Sequence, residues 1–117
     1  MVKNVKHLKD SYPELVDPII YTMGKIANEA RVAILKNDID KIAELMNLNQ
    51  GLLDGLGVNT YELSRMIYNA RNNGALASKI TGSGGGGSII SLCKNETVDD
   101  VANAINQEDN TIKVKFS

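Results

Sequence analysis

A run of small residues in the last third of the chain is the feature whose chemistry is easiest to interpret. It reads Gly-Ser-Gly-Gly-Gly-Gly over residues 82–87 and lies between Thr81 and Ser88. Glycine amides can turn towards an anion with no side chain in the way, so the run is a candidate phosphate-binding loop. Two alternatives stay open from composition alone: a flexible connection between strands, and an engineered linker, because glycine-serine runs are common flexible spacers.

The run differs from two familiar glycine-rich phosphate motifs. No Lys-Ser or Lys-Thr pair follows it, as a P-loop requires. The next residues, Ser-Ile-Ile-Ser-Leu-Cys over 88–93, favour a strand, whereas a dinucleotide-binding turn leads into a helix. An anion bound here would therefore be held by a strand-to-strand loop.

Two polar side chains are further candidate ligand contacts. Lys79 lies just before the run, on the strand face opposite Ile80, where its ammonium is either within reach of a phosphate or part of a solvated sheet face. Asn49 interrupts an apolar helical stripe, and a buried amide there would bond either a neighbouring backbone or a ligand. Asn47 is predicted to lie on an exposed or capping face. Cys93 is interpreted as a small core residue.

Helices are predicted to precede the glycine-rich run. Apolar residues recur at helical spacing over residues 13–36, where Pro13 suits a first turn and Pro18 is expected to shift the start or bend the entry. A second helix is predicted to follow Asn37 or Asp38 as its N-cap and to end at Gly57.

A third helix is predicted to begin at Asn59, with Glu62 three residues further on, and to end at Asn73 and Gly74. Carboxylates at the predicted helix starts are explained by the helix dipole, so no metal site is predicted. They belong to Asp38, Asp40, Asp99 and Asp100.

The pattern changes after residue 75. Residues 75–81 and 88–93 are predicted strands, a short helix is predicted from Thr97, and residues 111–116 alternate as a half-buried strand does. The fold class that follows is α+β, with helices packed on one face of a small antiparallel sheet. Such a sheet has an edge that a missing strand or a partner must cover.

Composition excludes several classes of partner. The 117 residues carry 13 basic and 14 acidic side chains, so no basic surface favours nucleic acid. No apolar stretch approaches the length of a membrane span, and the single cysteine cannot form an intramolecular disulfide. We expect one domain over residues 1–117, a cytoplasmic location, and a small-molecule ligand.

The residues around the run resemble a known family. Lys-Ile-Thr-Gly-Ser-Gly-Gly-Gly-Gly-Ser, starting at Lys79, is similar to the third conserved motif of the GHMP kinases, which in the mevalonate kinase branch reads about Lys-Leu-Thr-Gly-Ala-Gly-Gly-Gly-Gly-Cys. Ser83 replaces the usual alanine and Ser88 the usual cysteine, both small changes. Leu-Met-Asn-Leu-Asn-Gln-Gly-Leu-Leu-Asp-Gly-Leu-Gly-Val over residues 45–58 is similar to a segment of the same branch.

The resemblance implies a ferredoxin-like C-terminal domain of an enzyme that transfers the terminal phosphate of ATP, with Mg²⁺, to the 5-hydroxyl of mevalonate. It implies phosphate contacts from Thr81, Gly82, Ser83, Gly84, Gly85, Gly86 and Gly87. The family's main ATP loop, Pro-x-x-x-Gly-x-x-Ser-Ser-Ala, and its catalytic aspartate are absent. We therefore expect no catalytic residue here, an N-terminal domain as partner, and no activity from the isolated chain. A homodimer remains open, and so do another GHMP kinase or a stand-alone ferredoxin-like binding module.

Overall fold

The computed structural model describes residues 2–81 and 87–106. Five helices and two strands make up this part of the chain, which is an α+β fold as predicted. The helices are α1 (Val2–Ser11), α2 (Pro13–Leu35), α3 (Ile39–Gly55), α4 (Tyr61–Asn72) and α5 (Val98–Asn106), and the strands are β1 (Ala77–Thr81) and β2 (Ser88–Leu92). The strand predicted at residues 111–116 lies outside the described residues.

Helix α1 was not predicted from the sequence. It ends where Pro13 follows Tyr12, because a residue before proline is displaced from helical backbone angles; Tyr12 has φ −137° and ψ 60°. Pro13 then occupies the first turn of α2, as expected, and the helix continues through Pro18. Thr22 donates a hydrogen bond from Oγ1 to the Pro18 carbonyl at 2.8 Å.

The joint between α2 and α3 follows from local side-chain chemistry. Asn37 takes a left-handed conformation, φ 57°, and its N–H donates to the Ile34 carbonyl, which closes α2 in a Schellman turn. Asp38 then caps α3, because its Oδ1 accepts from the Lys41 N–H at 3.2 Å. At the other end of α3, Gly57 has φ +78°, which confirms the predicted terminator.

The predicted start of α4 was wrong by one residue. Thr60 is the N-cap, and its Oγ1 accepts from the Leu63 N–H at 3.2 Å. Asn59 instead links α3 to α4. Its Nδ2 donates to the Asp54 carboxylate of α3 at 2.9 Å and to the Ser64 hydroxyl of α4 at 2.8 Å. Both residues can cap a helix, so only the fold decides between them.

Strands β1 and β2 form an antiparallel hairpin against α4. Ser78 faces Ser91 and Ile80 faces Ile89 in its register. Two apolar clusters join the hairpin to the helices. One contains Leu63, Ile67 and Ile80, with Leu53, Val58 and Ile89 packed against it. The other contains Ala70, Val101 and Ile105, with Met66, Ala75, Ile89 and Cys93 packed against it.

Helix α2 is the least buried of the long helices. It packs on α1 and α3. Only Val16, Ile26 and Ala33 of its apolar stripe are buried, whereas Leu15 and Ile34 remain exposed. Within the described ranges, no helix is both long and apolar enough to cross a lipid bilayer.

Candidate functional site

The hairpin fixes the two ends of the glycine-rich run. Thr81, the last residue of β1, is exposed and lies opposite Ser88, the first residue of β2. Of the residues predicted to contact phosphate, the structure describes only Thr81 and Gly87. The others lie outside the described residues; they are Gly82, Ser83, Gly84, Gly85 and Gly86.

Gly87 is positioned where another residue would be strained. Its φ of +73° lies in the left-handed region, and a Cβ built on it would lie 3.0 Å from Cδ2 of Leu63. Leu63 is also in the cluster that holds Ile80. The second end of the run is therefore seated against α4.

Lys79 lies half-buried on the sheet face opposite Ile80, paired with Ile90 of β2. Its Nζ donates a 2.7 Å hydrogen bond to the Ile80 carbonyl. Burial lowers the pKa of this ammonium, because the charged form loses hydration. The structure thus places a partly dehydrated cation next to the end of β1.

Asn49 lies half-buried on α3. Its Oδ1 is buried and has no hydrogen-bond partner among the described residues. Most buried amide oxygens do have a partner, so this acceptor is unusual. The neighbouring Gln50, which was not singled out in the sequence, is 6% exposed, and its Oε1 does have a hydrogen-bond partner.

Helix α3 bonds the backbone of β1 through two amide side chains. Asn47 donates from Nδ2 to the Leu76 carbonyl at 3.1 Å and accepts at Oδ1 from the Ser78 N–H at 3.2 Å. Gln50 accepts at Oε1 from the Ile80 N–H at 2.8 Å. The prediction that Asn47 lies on an exposed or capping face was therefore wrong, because the strand lies alongside this face of α3.

The remaining carbonyls on this side of β1 are bonded as well. Arg71 of α4 donates from Nη2 to the Ser78 carbonyl at 3.0 Å, and its guanidinium lies 5.4 Å from the centre of the Tyr68 ring. Lys79 bonds the Ile80 carbonyl. We call the backbone groups of residues 76, 78 and 80 that point away from β2 the outer edge of β1. Side chains from α3, α4 and β1 itself satisfy this edge.

The signal for these contacts in the sequence is weak. Asn47 and Gln50 are three residues apart, so they share a helix face. Amide side chains at that spacing also suit a solvated helix face. Their strand partners are about 30 residues away, and helical periodicity carries no information about that distance.

The described residues hold the two ends of the glycine-rich run and contain no cluster of metal-ligating side chains. Within 2–81 and 87–106, no three His, Cys, Asp or Glu side chains come together in a way that could hold a metal ion. Asp38 caps α3, and Asp99 and Asp100 lie in the first turn of α5, as the dipole argument expected.

Comparison with known proteins identifies the class to which this fold and loop belong. The family model for the C-terminal domain of GHMP kinases matches residues 30–110, which is more than half of the chain. The chain belongs to the GHMP kinase family, and it corresponds to the C-terminal domain of that family.

Within the family, the chain is similar to archaeal mevalonate kinases. It is 48% identical over 117 residues to the mevalonate kinase of Methanothermobacter thermautotrophicus, an alignment that covers the whole chain and 38% of that enzyme. It is 44% identical over 110 residues to that of Pyrococcus furiosus, covering 90% of the chain and 33% of that enzyme. The chain therefore spans little more than a third of the length of these relatives.

A solved structure supports the same assignment. The crystal structure of Leishmania major mevalonate kinase in complex with R-mevalonate superposes with a TM-score of 0.81 at 26% identity. The match covers 92% of this chain and 33% of that enzyme. The expected fold, a GHMP kinase C-terminal domain, is confirmed.

Proposed function

We propose that residues 1–117 form the single C-terminal domain of an ATP-dependent mevalonate kinase, which transfers the terminal phosphate of ATP to the 5-hydroxyl of mevalonate. The observation that carries the proposal is the 48% identity to an archaeal mevalonate kinase over the full length of the chain. The structural similarity to an enzyme that binds R-mevalonate supports the same acceptor.

The glycine-rich loop supplies the chemistry in this proposal. Residues Thr81, Gly82, Ser83, Gly84, Gly85, Gly86 and Gly87 contact the phosphates. Phosphoryl transfer depends mainly on positioning and charge stabilisation, and backbone N–H dipoles provide both without a titratable group. The seating of Gly87 on Leu63 and the bonded strand before Thr81 support this role, because a fixed base limits where the amides point.

Two side chains are proposed as weaker substrate contacts. Lys79 places a partly dehydrated cation beside the end of β1, which suits a nearby phosphate. Asn49 carries a buried acceptor that is unpartnered in the described part of the chain, and a hydroxyl donor would satisfy it.

The rest of the active site is proposed to lie in an N-terminal GHMP kinase domain, the partner that this chain requires. The catalytic residues belong there, and the isolated chain is proposed to be inactive. The proposed location of the whole protein is the cytoplasm. Mg²⁺ would neutralise phosphate charge when bound. Its protein ligands are proposed to lie in the partner domain.

The test is complementation. ADP release is measured with mevalonate, ATP and Mg²⁺ for this chain alone, and then after mixing with the N-terminal part of the Methanothermobacter thermautotrophicus enzyme. We expect no turnover alone and turnover on mixing, with mevalonate preferred over phosphomevalonate as acceptor. Size-exclusion chromatography checks that the two parts associate.

A matched control uses two glycine substitutions. Gly85→Asp places a negative charge in the loop and should abolish turnover while association persists, because the carboxylate repels phosphate. Gly24→Ala, in the middle of α2 with nothing within 4 Å, should leave turnover unchanged. Turnover by the isolated chain, or none from an associated mixture, would contradict the proposal.

A further inference from the structure

The buried amide of Gln50 holds the last part of β1 in place. Gln50 is 6% exposed, and its Oε1 accepts from the Ile80 N–H at 2.8 Å. The two residues are 30 positions apart in sequence. This bond therefore ties the C-terminal half of α3 directly to the strand.

The bonded amide lies at the point where the strand ends. Ile80 is followed by Thr81, the last residue of β1, and the glycine-rich residues begin immediately after it. A shift of Ile80 along the strand axis would move Thr81 by the same amount, because consecutive Cα atoms are a fixed distance apart. Glycine residues offer no side-chain packing that would correct such a shift.

The other end of the run is linked to the same strand residue through Leu63. Gly87 is seated against Leu63 of α4, and Leu63 packs on Ile80 in one apolar cluster. Gln50 is therefore connected to Thr81 through the strand, and to Gly87 through Ile80 and Leu63. Apolar packing permits small translations, whereas a hydrogen bond to one particular N–H defines a register.

We propose that Gln50 is a positioning residue for phosphate binding: it sets the location of Thr81 and Gly87, and it does not contact the ligand. The proposal rests on the proposed function for its kinetic consequence. It assigns Gln50 a task different from that of Asn47, which bonds the Leu76 carbonyl and the Ser78 N–H at the beginning of the same strand.

Three variants separate positioning from general stability. Gln50→Met keeps the length of the side chain and removes the acceptor. Gln50→Glu retains an acceptor oxygen in either protonation state. Asn47→Leu removes two comparable bonds to β1 at the end remote from the glycine-rich run, so it is the matched control for loss of stability.

The first measurement uses the chain alone and does not depend on kinase activity. NMR gives the amide exchange rate of Ile80 and the amide shifts of Thr81 and Gly87. In Gln50→Met, we expect Ile80 to exchange about tenfold faster, the change in equilibrium that one lost hydrogen bond produces. We also expect the Thr81 and Gly87 signals to move, and to return towards their original positions in Gln50→Glu.

The second measurement uses the mixture with the N-terminal part of a mevalonate kinase. Gln50→Met should raise KM for ATP about tenfold while KM for mevalonate stays within twofold, because losing the Gln50–Ile80 hydrogen bond lowers the fraction of chains whose loop base is correctly placed for phosphate by about that factor. Asn47→Leu, compared at equal fraction folded, should change neither KM by more than twofold.

The outcomes test the positioning role of Gln50 and the proposed function separately. Unchanged Thr81 and Gly87 signals in Gln50→Met, or equal ATP KM changes in Gln50→Met and Asn47→Leu, would overturn the positioning role. A silent wild-type mixture would remove the proposed function, and the NMR measurement would then decide alone whether Gln50 positions the ends of the run.

Discussion

The hydroxyl oxygens of Ser78 and Ser91 lie 2.7 Å apart across the hairpin. The two residues are directly opposite in the register, and Ser78 is fully buried. On the same face, the next pair is Ile80 and Ile89, both in the apolar cluster with Leu63. A polar pair next to apolar pairs favours one register, because a slip by one residue would bury the hydroxyl without a partner.

This relationship predicts a measurable coupling. Ser91→Ala should lower the free energy of unfolding by about 1–2 kcal/mol, since it leaves a buried hydroxyl unpaired. The double variant Ser78→Ala with Ser91→Ala should lose less than the sum of the single changes, by about 1 kcal/mol. Urea unfolding of the wild type, the two single variants and the double variant gives the four free energies of this double-mutant cycle. Additive losses would show that the hydroxyls do not interact.

Gly87 should not tolerate a side chain. Gly87→Ala places a Cβ against Leu63 at a left-handed φ, so we expect a loss of about 1–2 kcal/mol in the free energy of unfolding. The control substitution should change the free energy of unfolding in the opposite direction. Gly24→Ala, inside α2 in open space, should stabilise the chain by about 0.5–1 kcal/mol. Thermal unfolding distinguishes the two, and a neutral Gly87→Ala would contradict the strained backbone.

The N-cap hydrogen bond of α3 should contribute more to the free energy of unfolding than a carboxylate in the first turn does. Asp38→Ala removes the acceptor for the Lys41 N–H, and we expect a loss of about 1 kcal/mol. Asp40→Ala removes a carboxylate from the first turn without removing a cap, so it should cost only about 0.3 kcal/mol. Urea unfolding in 0.5 M NaCl checks this, because salt screens the charge and leaves the cap. Equal losses would mean that the dipole dominates.

Cys93 should react slowly with alkylating reagents. Burial raises the pKa of its thiol, so less thiolate is present at a given pH than in the unfolded chain. The pH at half-maximal iodoacetamide labelling should therefore be higher in the folded chain than in 8 M urea. The folded state also holds a proton that the unfolded state has lost, so stability should fall as pH rises above the ordinary thiol pKa. A lower midpoint in the folded chain would contradict the burial argument.

Local patterns were sufficient to predict α2, α3, α4 and the hairpin. Asp38 and Gly57 are readable because a capping residue and a left-handed glycine act within one turn of the chain. The start of α4 was displaced by one residue because Asn59 and Thr60 are both good caps. Helix α1 was missed because its residues are mostly polar, and its position depends on packing against α2.

The candidate site was only partly predictable. The glycine-rich run is visible in the sequence, and so is the strand that carries Lys79 to it. The contacts of Asn47, Gln50 and Arg71 with β1 were not foreseen. The bonds of Asn47 and Gln50 join residues about 30 positions apart, and the bond of Arg71 joins residues seven positions apart across the turn between α4 and β1. All of them depend on how the helices lie along the hairpin, and the pattern of residue types does not encode that arrangement.

Because the outer edge of β1 is already bonded, the hairpin can pair with another strand at one edge instead of two. Asn47, Gln50, Arg71 and Lys79 occupy the backbone groups that another strand would need on that side. Backbone groups alternate in direction along a strand, so Ile89 and Ser91 point away from β1. Among the described residues, β2 is therefore the one strand beside which the sheet can grow. The strand predicted at residues 111–116, a strand from the rest of a longer enzyme, and a second copy would compete for that place, so two chains joined edge to edge through β2 would leave no open edge of this hairpin for a third.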